Sequence, residues 1–498
     1  MRLRRIAALA AATVAGAVAA GAVALIALDI PRNAAGMAAR SVCSAAFVAG
    51  RAIDRVFKDD VRPASAALAL VSVEVDASHG VATGRFAGMF ERRARHLGVR
   101  GCVLDADADA GSAHAPPPAG RAAPWPEGNA ALDPPQWGAG VDAGRLRSIV
   151  DAAFADAGNP RGANTRAVAV VHRGRLLVNR VAPGLGLDTP LHGWSMTKTV
   201  VAMLAHKREG EGAIDAKARV VDAVAGAHEP SWARAWRRDT RAAIRVDDLL
   251  WMRDGLANDE NYAPWGAVAR MLFGRADVAG HAAAAEAEAP AATRWRYSSG
   301  TTNILARVLR SGFDDDAAYW AYPRTALFAP IGAHGAVLET DTAGTWIASS
   351  YLWASSGDWA RLGQLLLDDG RWPPGAGQPQ GRRSPSGGSE RIEPWAEVRD
   401  VMPPGFLARA STPAAASGDG RGYGAQTWRI GDPEAGKCKG QVPEDALAMR
   451  GHWGQIVAVV PSRQAVVVRL GWTFDRERFD GCGFVAEVLA ALDAAGPR

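Results

Sequence analysis

LHGWSMTKTVVAMLAHKREGEG, residues 191–212, sets Ser195 three positions before Lys198 at the head of a helix-forming stretch. Residues i and i+3 of a helix share a face, so the Ser195 hydroxyl and the Lys198 amine can meet without help from a distant loop. A buried lysine gives up its proton and can then accept one from the hydroxyl, which makes an activated nucleophile for acyl transfer. The chain holds 22 serines but only six lysines against 51 arginines. Chance alone supplies about 0.3 such pairs, so the motif needs partners elsewhere in the sequence.

A serine–lysine pair requires a second proton-handling group. Tyr297, in RWRYSSGTTNILA, stands where a loop enters a helix and can project its phenol into a cleft. A neighbouring ammonium favours the phenolate, so the expectation is a tyrosine able to act as a base near neutral pH. The third element is His452-Trp453-Gly454-Gln455, at the start of a strongly apolar strand. Gly454 at a strand edge would let a substrate backbone come close. The Gln455 N–H, paired with the Ser195 N–H, would complete an oxyanion hole. Tryptophans such as Trp194 and Trp453 would line the cleft.

The 498 residues are 48% hydrophobic and 22% charged, an ordinary globular balance with room for two or three units. A net charge of +5 raises nucleic-acid binding as a possibility, but the arginines are scattered and form no basic stripe with interleaved aromatics, which excludes it. Ten dispersed histidines and no HExxH leave no zinc site, and the chemistry requires no metal or organic cofactor. Met1-Arg2-Leu3-Arg4-Arg5 precedes an uncharged apolar run from Ile6 to Leu28, long enough to cross a bilayer. Ala17-Val18-Ala19 could be cut by a signal peptidase, but it lies inside the run, which favours an uncleaved anchor. The flanking arginines place everything after Asp29 outside the cytoplasm, on the periplasmic side of the inner membrane or, after cleavage, in the periplasm. Cys43, Cys102, Cys438 and Cys482 are even in number and form no CxxC, which suits that compartment. Three pairings are open. Neighbourhood in the sequence favours Cys43–Cys102 and Cys438–Cys482.

The order along the chain is an anchor or signal over 1–30, a small region over 31–104 and a Pro/Ala/Gly-rich linker over 105–140. An enzyme domain follows over 141–498. VDAGRLRSIVDAAFAD has helical spacing, and RAVAVVHRGRLLVNRV reads as two strands joined at His172-Arg173-Gly174. AMRGHWGQIVAVVPSRQAVVVRLGW gives two more strands joined at Pro461-Ser462-Arg463, followed by a helix from Phe484 to Ala494. The implied architecture is α+β: an antiparallel sheet built from both ends of the domain, with a mostly helical middle from about 200 to 440. WPPGAGQPQGRRSPSGGSER and STPAAASGDGRG read as surface insertions.

Ser195-x-x-Lys198, then Tyr297-x-Ser299, then His452-x-Gly454 resemble the motifs of the class C β-lactamase-like serine hydrolases. That superfamily includes penicillin-binding DD-peptidases, family VIII esterases and 6-aminohexanoate-dimer hydrolases. DLLWMRDGL, SSYLWASSGDWARLGQLLLDDGRW, YGAQTW and GHWGQIVAVVPSRQAVVVRLG are similar to further stretches of the family in matching order. The resemblance covers about residues 141–498 and implies the β-lactamase/DD-peptidase-like fold. It implies Ser195 as nucleophile, Lys198 as its proton partner and Tyr297 as general acid/base. His452 stands where β-lactamases carry the lysine of Lys-Thr-Gly, and Ser299 where they carry the asparagine of Tyr-x-Asn. Both departures point away from β-lactams and toward small amides or esters. Tyr-Ser-Ser is like the 6-aminohexanoate-dimer hydrolase branch, in which a further tyrosine contacts the substrate amide, and Tyr262 in NDENYAPW is similarly placed. CSAAFVAGR and GVRGCVL resemble extensions of exported members and imply a Cys43–Cys102 pair. The rival readings are a true β-lactamase or DD-peptidase, and a penicillin-binding sensor that acylates without turnover. The sequence leaves the oligomeric state open.

Overall fold

The computed structural model describes residues 13, 16, 20–21, 23–106, 123–138, 140–226, 228–374, 398–414 and 419–493. Most of the apolar run 6–28 and most of the insertion 372–391 lie outside these. Among the described residues no helix is long and apolar enough to cross a membrane.

Period-2 alternation of β-branched residues builds the central sheet. Strands β5 (Thr165–His172) and β6 (Arg175–Val181) come from the first half of the enzyme domain. Strands β7 (Leu447–Gly451), β8 (Gln455–Val460) and β9 (Ala465–Gly471) come from its C-terminal end. The order is β7-β8-β9-β5-β6, antiparallel throughout, so the two ends of the domain meet at β9 and β5 as the sequence implies. Arg173 and Gly174, at φ 52° and 75°, make the tight β5–β6 turn, whose hand suits the twist of a hairpin.

Each strand divides its side chains between two cores. Ala167, Ala169, Val171, Val457, Val459, Val466 and Val468 face one side, against helices α3 (Thr197–Gly210) and α6 (Ser356–Leu367). Val168, Val170, Ile456, Ala458 and Val467 face the other, against α2 (Ala143–Ala153) and α7 (Gly481–Leu492). The last helix begins three residues before the expected Phe484, because the Asp480 side chain caps it by accepting from the Cys482 N–H. Helices α4 (Ala267–Gly274) and α5 (Ser299–Ser311) belong to the helical middle.

The region 31–104 is a four-stranded antiparallel sheet covered by helix α1 (Ile30–Cys43). Its strands are β1 (Val71–Asp76), β2 (Val81–Phe86), β3 (Phe90–His96) and β4 (Cys102–Leu104). Within ALALVSVEVD the strand starts only at Val71, since Ala66–Leu70 coils into a 3-10 turn capped by Ser65. Cys43 pairs with Cys102 and Cys438 with Cys482, the pairing that neighbourhood favours. This unit is pinned to the enzyme domain by buried charge. Arg40 and Ser44 both donate to the Glu339 carboxylate, and the Asp60 carboxylate takes Arg51 and Arg166 together. Burial pushes Asp60 up, but the two guanidinium groups outweigh it and hold the carboxyl below its usual range.

The linker expectation for 105–140 is corrected over its second half. Residues 107–122 lie outside the described residues, but Trp125 and Trp137 are each only 7% exposed. The Arg361 guanidinium of α6 donates to the Pro126 and Gly128 carbonyls and to Asn129 Oδ1. Two tryptophans bury enough apolar surface, and one arginine supplies enough donors, to order a stretch whose composition reads as unstructured.

Asp60→Asn removes the carboxylate that bridges two arginines at most 12% exposed. Breaking a buried pair in this way costs about 3–5 kcal/mol, read as a lowered urea midpoint. A loss below about 1 kcal/mol would show that the N-terminal unit is held by other means.

Candidate active site

Every residue of helix α3 from Thr197 to Ala205 is buried, so its N-terminal half is fixed in the core. Ser195 lies in the tight turn Trp194–Met196 that feeds this helix, with Trp194 in the left-handed region at φ 50°. Such a backbone costs on the order of 1–3 kcal/mol and persists only where packing enforces it. The Trp194 ring is clamped, 4.3 Å from His192 and 5.0 Å from Trp453. Gly451, the last residue of β7, closes the site from the sheet edge. A Cβ at this position would lie 2.3 Å from the Gly193 carbonyl, so only glycine brings the strand against the nucleophile turn.

Lys198 is 1% exposed. Its Nζ donates to Ser195 Oγ at 2.9 Å, to Ser299 Oγ at 3.0 Å and to the Ser349 carbonyl at 3.0 Å, which uses every proton of an ammonium. Burial draws Lys198 down to about 8, against an opposing pull from the Glu260 carboxylate. Ser299 Oγ passes the line onward, donating to Glu260 Oε1 at 2.7 Å, while the Ser299 N–H donates to Glu260 Oε2. Glu260 also accepts from the Tyr262 hydroxyl at 3.3 Å. Tyr262 and Tyr297 both lie near enough to the Ser195 hydroxyl for it to draw their phenols down, and the centre of the Tyr297 ring lies 4.8 Å from Lys198 Nζ. The Tyr297 ring is stacked on Trp428 at 5.2 Å and meets Tyr423 edge-on, so the YGAQTW segment aims its phenol.

The structure therefore brings Ser195, Lys198, Tyr297, Ser299 and Tyr262 together around one hydroxyl. The expected phenolate is corrected. Burial raises Tyr297 well above the usual tyrosine value, and the nearby tyrosines and Glu260 raise it further, so the resting group is a phenol. His452 stacks on Tyr262 at 4.4 Å, and burial drops its imidazole to about 3. It is neutral and brings none of the positive charge of the lysine whose place it takes.

Gly454 and Gly451 have separate parts in the packing of this edge. At φ 82°, beside Trp453 at φ 59°, Gly454 turns the β7–β8 hairpin, and Gly451 packs against Gly193. The Gln455 side chain is spent on the same turn, donating to the His452, Trp453 and Gly471 carbonyls and accepting from the Gly471 N–H. Two participants were missed from sequence, Glu260 and the Ser349 carbonyl. Glu260 stands two residues before Tyr262, beside Asp259, where an acidic pair reads as a solvated loop. A main-chain carbonyl leaves no mark in a sequence.

The Beta-lactamase family model matches residues 150–481, more than half of the 498-residue chain. The chain belongs to the beta-lactamase family. No curated protein sequence matches it. Among solved structures, a family VIII carboxylesterase aligns with TM-score 0.50 at 14% identity, over 74% of this chain and 99% of its own. A Bacillus anthracis protein assigned as a 6-aminohexanoate-dimer hydrolase aligns with TM-score 0.47 at 17% identity, over 69% and 80%. An octameric penicillin-binding protein homologue from Pyrococcus abyssi gives 0.45 at 14%, over 70% and 77%. The carboxylesterase shares the fold, a mixed α/β arrangement of antiparallel sheet and helices.

With Lys198 near 8, the neutral amine that can take a proton from Ser195 forms as pH rises. Plotted against pH, kcat/KM is expected to climb and level off above an apparent pKa near 8. Glu260→Gln removes the charge that raises Lys198, so the climbing limb should move to lower pH. A limb that stays in place would mean that another group titrates.

Proposed function

We propose that this beta-lactamase family member is a serine hydrolase that cleaves small neutral amides or esters through an acyl-enzyme on Ser195. The observation that carries this reading is the buried contact of 2.9 Å between Lys198 Nζ and Ser195 Oγ, with the centre of the Tyr297 ring 4.8 Å from the same Nζ. Neutral Lys198 takes the Ser195 proton as Oγ adds to the substrate carbonyl. The developing oxyanion is met by the Ser195 and Gln455 backbone N–H groups. Tyr297, a phenol at rest, gives its proton to the departing nitrogen or oxygen and recovers one from the Lys198 ammonium. Water then attacks the ester on Ser195, its proton passing to the same pair of groups, and the acid is released with Ser195 restored.

Substrate charge is limited by the surroundings. The Glu260 carboxylate disfavours an anionic group beside Ser299, and neutral His452 offers no counter-charge. One observation favours the second reading, a DD-peptidase or β-lactamase that grips a carboxylate. Arg450 Nη1 is buried without a partner among the described residues, and Arg450 and Arg476 line a cavity of about 190 Å³ beside His452. Export is proposed as well, since Val23, Leu25, Ile26 and Leu28 are exposed apolar residues just ahead of the buried helix α1. Recovery of the protein in the membrane or periplasmic fraction tests it.

Ser195→Ala is expected to cut ester and amide turnover by a factor on the order of 10⁴ or more, and Tyr297→Phe by roughly 10²–10⁴. A panel of simple esters, linear amide dimers, D-Ala-D-Ala peptides and a chromogenic cephalosporin separates the readings. Fast turnover of the last two alone favours the second reading. A stoichiometric burst without turnover would mark a sensor. Unchanged turnover by Ser195→Ala would sink the mechanism.

A further inference from the structure

Outside the family-matched residues, the N-terminal unit touches the site directly. A cavity of about 180 Å³ lies between it and the nucleophile turn. Ala34 and Met37 of α1 and Leu68 of the following 3-10 turn form one wall, and Trp194, Tyr262 and Trp453 form the opposite one. Trp194 immediately precedes Ser195, and Tyr262 lies close to the Ser195 hydroxyl, so the cavity lies against the nucleophile turn. An apolar cavity of about 150 Å³ takes up benzene, so this one has room for an aromatic ring or a short alkyl chain.

We infer that this cavity is a specificity pocket for an uncharged alkyl or aryl group of the substrate, and that the N-terminal unit exists in part to wall it. The inference rests on the reading of Ser195 as the nucleophile. The wall is fixed in place and cannot act as a flap. The Cys43–Cys102 bond ties α1 to β4, Arg92 donates to the Phe273 carbonyl at 2.8 Å, and Trp472 donates to the Asp60 carbonyl at 2.9 Å. Two different elements of the enzyme domain thus hold a unit that is itself cross-linked beside the pocket. A rigid apolar wall gains selectivity by contact with each added methylene, and one methylene in such a pocket changes kcat/KM by roughly tenfold or more.

The test compares ethyl acetate with ethyl hexanoate and hexyl acetate, which lengthen the acyl and the alcohol side in turn. In the wild type at least one of the longer esters should exceed ethyl acetate in kcat/KM by tenfold or more. Met37→Trp and Ala64→Phe fill the pocket and should lower that ratio by at least tenfold, whereas Met37→Ala should move the optimum to a longer chain. Thermal melts confirm that the variants fold, and a fluorophosphonate probe reports labelling of Ser195. A labelled, active wild type with no preference for chain length overturns the pocket alone, as does a preference that all three substitutions leave unmoved. A wild type that neither turns over nor is labelled at Ser195 overturns the hydrolase reading and the pocket with it.

Discussion

An amine confined where water cannot follow is costly in its charged form, and the protein is arranged around that cost at Lys198. Three acceptors surround Nζ, and the remaining deficit appears as a value lowered to about 8. Each acceptor demands its own support. Ser195 needs the clamped Trp194 turn. Ser299 needs the start of α5, and one turn later on the same face Asn303 Oδ1 accepts from the Ser349 N–H, which turns the Ser349 carbonyl toward the lysine. The sheet edge at Gly451 then seals the turn against Gly193. The N-terminal half of α3, buried from Thr197 to Ala205, is what carries the lysine inward.

Desolvation leads at Lys198, Tyr262, Tyr297 and His452, and whether nearby charge adds to it or opposes it sets them apart. For both phenols desolvation leads, and Glu260 adds to it, so Tyr262 and Tyr297 keep their protons. For the amine, desolvation acts in the opposite sense, and the same Glu260 limits how far it falls. One carboxylate therefore holds apart the groups that must differ: an amine poised to accept a proton, and phenols poised to donate one. The imidazoles of His192 and His452, both near 3, are excluded from proton transfer and serve as flat, neutral packing against Trp194 and Tyr262.

What was legible in the sequence was local or periodic. The Ser195–Lys198 spacing needs only a helix, and β5, β6, β8 and β9 announce themselves by alternation. Tyr297 and Ser299 were found because they head a helix with a recognisable motif. What escaped depends on chain segments that meet only in the folded protein. Glu260 acquires its role when its loop folds back onto Ser299, 39 residues away. The Tyr297 phenolate was expected from one nearby charge, and the error lay in weighing that charge without the burial that opposes it. What sequence could not show at Gly454 and Gln455 is that the glycine and the glutamine side chain also build the β7–β8 hairpin turn. The stretch 123–138 looked like a linker because composition averages away two anchoring tryptophans.

The N-terminal unit carries the same logic beyond the catalytic residues. Its cores are small, and a sheet of four short strands with one helix has little apolar surface with which to hold itself together. The unit compensates with a covalent bond between Cys43 and Cys102 and with charges buried against Glu339 and Arg166. Glu339 sits at the junction of these supports: it accepts from Arg40 and Ser44 on one side and from the Cys102 N–H at 2.9 Å on the other. The disulfide thus sets the position of a backbone donor to a buried carboxylate as well as shortening the unfolded chain. Without it the carboxylate would lose a partner in a place where burial already pushes its value up. The wall beside Trp194 and Tyr262 therefore depends in part on that bond, which an oxidising milieu preserves.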